Sequence, residues 1–172
     1  MEFFGLLDRN RIFILKLLQN SFVYKFMIFN VLSKKEATFK EIEGYFSFTF
    51  PEDYKSFLTK YNGVNMEDYY VKVKDLDEEV LINNLFSTDN ELNRSLTLMF
   101  WNHEYKEDIP EHSLLIGDFQ DGAFLLLISE GENKGVYYYD HAYSFEQSDD
   151  DCNTYFLAET FSDFLDCIKQ NV

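Results

Sequence analysis

Three apolar runs, Leu114–Ile116, Ala123–Ile128 and Val136–Tyr139, follow one another with little more than turn residues between them. Asp121-Gly122 lies in the first connection, and Gly131-Glu132-Asn133-Lys134-Gly135 fills the second. Parallel strands need a crossover of a dozen or more residues, whereas Asp-Gly and Gly-rich connections of this length close hairpins. The segment therefore predicts antiparallel strands, and any fold for this chain must contain them.

Upstream, residues 51–63 carry the clearest helix signal. Pro51 suits the first helical position because its missing N–H would be unpaired there, and Glu52 and Asp53 oppose the positive end of the helix dipole. Tyr54, Phe57, Leu58 and Tyr61 recur at helical spacing, and Asn62-Gly63 supplies a left-handed stop. The spacing predicts a helix of about 11 residues with one buried aromatic stripe.

Weaker signals complete the outline. Residues 1–32 roughly follow a helical period through Phe3, Leu6, Phe13, Leu17, Tyr24, Met27, Ile28 and Val31, which predicts an N-terminal helical extension over 1–35 before a main domain over 36–172. Overlapping capping boxes, Ser33 with Glu36 and Thr38 with Glu41, predict a short helix, and alternating Phe46, Phe48 and Phe50 predict an extended segment. Tyr69–Val73 and Val80–Ile82 read as strands around an acidic turn at 75–79. Leu92, Leu96, Met99 and Phe100 predict a helix within 88–104, capped by Asp89 or Asn90, and Phe161, Phe164, Leu165 and Ile168 predict a last helix starting near Thr160 or Ser162. The expected fold class is α+β, a mainly antiparallel sheet flanked by helices in a single domain.

The 172 residues include 19 Phe, 12 Tyr and one Trp, but only seven Gly and two Pro. That supplies a large core with few chain breakers, which excludes disorder despite a net charge of −16. The charge is uneven. Residues 1–60 hold nine basic and seven acidic side chains, while 61–172 hold six basic and 24 acidic. Such a field repels phosphate and attracts basic proteins, so the chain is expected to avoid nucleic acid. Arg9, Arg11, Lys16, Lys25 and Lys34 interrupt the N-terminal apolar stretch, which leaves no transmembrane segment and no secretory signal pattern. Cys152 and Cys167 form no CxxC pair, so both are expected to be reduced and the protein cytoplasmic.

The order of these signals resembles the SUKH superfamily, which includes fungal regulators of cell-wall and glucan synthesis and many bacterial immunity proteins of polymorphic toxin systems. The resemblance rests on Phe50-Pro51-Glu52-Asp53-Tyr54-Lys55-Ser56-Phe57-Leu58 ending in Asn62-Gly63, then Ile109-Pro110, Leu115-Ile116-Gly117-Asp118, Asp121-Gly122, Gly135-Val136-Tyr137, and Thr160-Phe161 with Phe164-Leu165. It covers about residues 36–169. Val64 departs from the pattern, since the family usually has a second Gly there, and residues 1–32 extend beyond its usual start. The motif residues have explanations as fold signals, so the resemblance implies a scaffold more firmly than an activity.

Catalytic signatures are missing. The sequence has no GxGxxG, P-loop, HExxH or GxSxG pattern, and His103, His112 and His141 have no spacing that sets two on one helical face. Asp140-His141 with Cys152 is a conceivable nucleophilic set, but Asp149, Asp150 and Asp151 would raise the thiol pKa. The same triplet lacks the alternating ligands and turn glycine of a calcium loop. No enzyme activity, cofactor or metal is expected. The sequence points instead to binding. In Tyr69-Tyr70 and Tyr137-Tyr138-Tyr139 at least one ring must face outward, with Tyr69 and Tyr138 taken as candidate anchors, and Asp77, Glu78, Glu79 and Asp149, Asp150, Asp151 are expected in loops at the edge of a partner site. The resemblance implies an immunity protein that occludes a basic toxin domain such as a nuclease, or alternatively a regulator or scaffold of cell-wall or glucan synthesis.

Overall fold

The computed structural model describes residues 11–14, 26–149 and 152–170. Its elements, in chain order, are β1 (Arg11–Ile14), β2 (Phe26–Val31), α1 (Lys40–Phe46), α2 (Glu52–Tyr61), β3 (Val64–Asn65), β4 (Tyr69–Val73), β5 (Glu78–Leu85), a 3-10 turn (Arg94–Leu96), α3 (Leu98–Glu104), β6 (Ser113–Phe119), β7 (Phe124–Ile128), β8 (Gly135–Tyr139), β9 (Thr154–Ala158), α4 (Phe161–Cys167) and β10 (Lys169–Gln170). All strand pairs are antiparallel, in the order β1-β2-β3-β5-β6-β7-β8-β9, with β4 beside β5 and β10 beside β4. This is an α+β fold.

Helix α2 forms as its sequence dictates, with Pro51 one position earlier than expected, just outside the first turn. Tyr54, Phe57, Leu58 and Tyr61 are all buried. The stop is sharp: Asn62 takes φ 36° and donates its N–H to the Leu58 carbonyl at 2.8 Å. Gly63 follows at φ 88°, where a Cβ would stand 2.8 Å from the Ser87 Cβ, so both backbone conformation and space require glycine. Helix α4 starts at Thr160, whose hydroxyl accepts from the Asp163 N–H at 3.0 Å. Asp53 at the start of α2 accepts from the Ser162 N–H at 2.9 Å and ties the two helix starts together. Between them the rings of Tyr54 and Phe161 lie 4.7 Å apart, and those of Phe57 and Phe161 5.0 Å apart.

Strand β7 is buried at every position, so both sheet faces are covered there. Trp101 and Tyr105, at the α3 end, pack on Phe124 at 4.9 and 5.0 Å. On β9, Tyr155 and Leu157 are buried and Phe156 is exposed, so the face toward α4 is covered and the opposite face is open at this end. A register shift between Leu115 and Gly117 interrupts the pairing of β6 with β7. At Gly117 a Cβ would meet the Asn84 carbonyl oxygen at 2.5 Å, so only glycine permits that approach.

The structure corrects several expectations. Within the predicted N-terminal helical extension, Arg11–Ile14 and Phe26–Val31 are strands; the other residues of 1–25 lie outside the described set. Met27 and Phe29, two positions apart, are buried on one face of β2, and β3 offers Val31 and Asn30 a ladder. Strand β2 thereby joins the sheet through β3. Neither capping box is used. Phe39 precedes α1 without a side-chain cap, while Ser33 donates to Asp89 at 2.7 Å. Helix α3 begins at Leu98, capped by Thr97 and not by Asp89 or Asn90, because a parallel bridge between Ser87 and Thr97 holds Thr97 extended. Phe48 and Phe50 are buried without forming a strand, and Phe46 ends α1.

Candidate functional site

The pleat decides which tyrosines can meet a partner. Tyr69 and Tyr138, the rings taken from the sequence as anchors, are buried at 3% and 0% exposure. Tyr138 packs on Phe119 at 4.9 Å and donates its hydroxyl to Asp121 at 2.7 Å, so Asp121 holds a buried ring as well as the turn before β7. The outward positions are Tyr70 and Tyr137, both half-buried. Alternation was the right rule, but its phase is set by neighbouring strands. Tyr137 lies 5.5 Å from Phe156, which is exposed and was missed from the sequence together with β9.

The first acidic triplet differs from the expected loop. Asp77 sits at a turn with φ 57°, but Glu78 and Glu79 begin β5. Lys72 pairs with Asp77, and this ion pair raises the Lys72 pKa and holds the Asp77 carboxyl below the usual range. Glu79 lies opposite Lys72 in the ladder and 3.7 Å from the Lys169 ammonium. The charge of this edge is therefore largely answered within the chain.

Of the second triplet only Asp149 is described, and the loop that leads to it is organised by Asp140. This side chain has no exposed surface; burial opposes its ionisation, but bonds from the Ser148 hydroxyl at 2.6 Å and the Ser144 and Phe145 N–H groups at 2.9 and 3.1 Å outweigh that cost and lower its pKa. Ser148 also meets the Tyr155 hydroxyl at 2.9 Å, which fastens the loop to β9. Asp149 is exposed and accepts from the Cys152 N–H at 2.8 Å; Asp150 and Asp151 lie outside the described residues.

Next to Asp140, His141 lies among the rings of Tyr105, Phe124 and Tyr139 at 5.2, 4.8 and 6.0 Å. Burial lowers its pKa, and its Nδ1 finds no hydrogen-bond partner among the described residues. No bond couples it to Cys152, which is exposed. Among the described residues no group of three His, Cys, Asp or Glu side chains converges in a way that could hold a metal ion.

A groove of about 390 Å³ opens elsewhere, between α1, the end of α3 and residues 109–113. Lys106 stands 4.8 Å over the exposed Tyr45 ring, and His112 meets the Ser47 carbonyl through Nδ1 at 3.0 Å. Its lining carries one charge of each sign, Lys106 and Glu111, so the groove shows no preference for a basic partner. Sequence reasoning had no signal for it, because its walls come from three separated segments.

A further polar centre stands at Asn62. Its buried Oδ1 accepts from the Ser87 hydroxyl at 3.0 Å and from the Thr88 N–H and hydroxyl at 2.9 Å each, while its Nδ2 donates to the Lys35 carbonyl at 3.0 Å. This motif residue joins the end of α2 to the strand leaving β5.

Compared with protein families, residues 36–165 match the model of the SMI1-KNR4 cell-wall family, SUKH_6. The chain belongs to that family. No curated protein and no solved structure matches it. The match begins after β2, so SUKH_6 accounts for α1 through most of α4, including Pro51, Leu58, Gly63, Ile116, Gly122 and Val136, whereas β1 and β2 extend the sheet beyond it. Among the described residues, no helix of this SUKH_6 chain is long and apolar enough to cross a membrane.

Proposed function

We propose that this SUKH_6 chain is a non-catalytic, cytoplasmic binding protein, an immunity protein that neutralises a cognate toxin by occupying its working surface. The observation that carries the reading is the charge of residues 61–172, 24 acidic against six basic, on a family scaffold. A toxin domain that handles nucleic acid is basic where it works, and an acidic protein is drawn to that surface and covers it. No step of this mechanism needs a cofactor or metal.

The family description, which names the cell wall, favours a second reading, a regulator or scaffold of cell-wall or glucan synthesis. Co-purification with the product of the neighbouring gene separates the two. The proposal expects an equimolar complex with a toxin domain, loss of that toxin's activity, and association that slows as salt shortens the screening length from about 10 Å at 0.1 M to about 3 Å at 1 M. Absence of a complex, or turnover by this chain alone, would overturn it.

A further inference from the structure

Outward-facing rings among the described residues differ in what stands over them. Tyr45 lies under Lys106, Phe100 under Arg94 at 4.8 Å, and Tyr70 near Lys169 at 5.7 Å, so each of these rings already has a cation of the chain. Tyr137 and Phe156 differ. They form an edge-to-face pair on the open face of β8–β9, Phe156 is 44% exposed, and among the described residues no cation stands over either ring.

Charge around this pair is one-sided. Between Lys134 and Lys169 the chain has no Lys or Arg and eight Asp or Glu. Asp149 and Glu159 of that set are exposed on either side of β9. The surface is also ordered in advance, since Tyr137 and Phe156 are opposite one another in the β8–β9 ladder, on strands whose other faces are buried. A preformed surface loses less conformational freedom on binding.

We propose that the outer face of β8–β9, centred on Tyr137 and Phe156 and flanked by the exposed carboxylates of Glu146, Asp149 and Glu159, receives an arginine-bearing segment of the partner protein. The guanidinium lies on the ring pair, where cation–π attraction acts, while the surrounding carboxylates draw it in and exclude acidic partners. This rests on the proposed function and specifies its binding face.

The test uses a short peptide alternating arginine with glycine, and its glutamate counterpart, titrated at low salt into the full chain and followed by NMR. The arginine peptide should shift the Tyr137 and Phe156 resonances, the glutamate peptide should not, and Phe156→Ser should weaken binding several-fold while the circular dichroism spectrum stays unchanged. Glu78→Gln with Glu79→Gln should leave binding intact. Shifts centred on Asp77–Glu79 or spread over all acidic surfaces, or equal affinity for Phe156→Ser, would overturn the proposal. The same variants titrated with the toxin domain separate the two readings. A complex indifferent to Phe156→Ser removes this face and leaves the immunity function, whereas peptide binding at Phe156 without any toxin complex removes the function and leaves the face.

Discussion

The α2–α4 layer and the outer face of β8–β9 draw on the same residue types, yet Tyr54 and Phe164 have no exposed surface while Phe156 keeps 44%. In the helical layer the rings come at helical spacing and meet one another across two helices tied at their starts by Asp53 and Ser162. On β8–β9 the rings alternate through the sheet, so Tyr138 enters the core and Tyr137 does not. Aromatic content alone therefore does not separate scaffold from binding surface. The element that carries the ring and the layer packed on it do.

The largest effect should come from the scaffold side. Phe57 touches Phe29, Tyr61 and Phe161 with centroids 5.8, 5.1 and 5.0 Å away, so Phe57→Ala should cost about 3 to 5 kcal/mol in denaturant unfolding. A loss below about 1 kcal/mol would erase the contrast with the surface rings. Asn62→Ala comes next, at about 3 kcal/mol, because it strands four buried or half-buried hydrogen-bond groups and forces alanine into a left-handed backbone. Asn62→Gly keeps the backbone and should lose less.

Tyr54 reverses the sign. Its hydroxyl is fully buried without a hydrogen-bond partner among the described residues, so Tyr54→Phe should leave stability unchanged or raise it by about 1 kcal/mol. A clear loss would show that the hydroxyl has a partner.

His141 ties the surface region to pH. Its folded pKa lies below the ordinary 6.5, so the unfolded chain binds more protons between those two values. Stability should therefore be full above about pH 6.5 and fall as pH drops through that window, and His141→Phe should flatten the slope there. Asp140 acts lower: its depressed pKa gives stability that is present above its ordinary value and lost as pH falls through the folded one. The smallest effect is Phe156→Ser, within roughly 0.5 kcal/mol, as for other surface changes. A larger loss would move Phe156 to the scaffold side.

Legibility in the sequence follows the same division. Helices α2 and α4 and strands β4, β6, β7 and β8 could be read because their patterns are local, with caps or turn residues at their ends. Strand β2 was misread because Met27, Ile28 and Val31 fit a helical period as well as a strand, and only the pairing with β3 decides. Strand β9 went unseen because its short alternation follows the acidic run at 149–151. The phase at Tyr137–Tyr139 and the pairing of Glu79 with Lys169 depend on contacts between distant segments, which no local pattern carries.

Hydrogen exchange of the chain, alone and with the toxin domain that the proposed function requires, tests the central division most directly. The account predicts new protection in Gly135–Tyr139, residues 141–149 and Thr154–Ala158, with α2 and α4 already protected and unchanged. Protection confined to Tyr69–Leu85, or none anywhere, would contradict it.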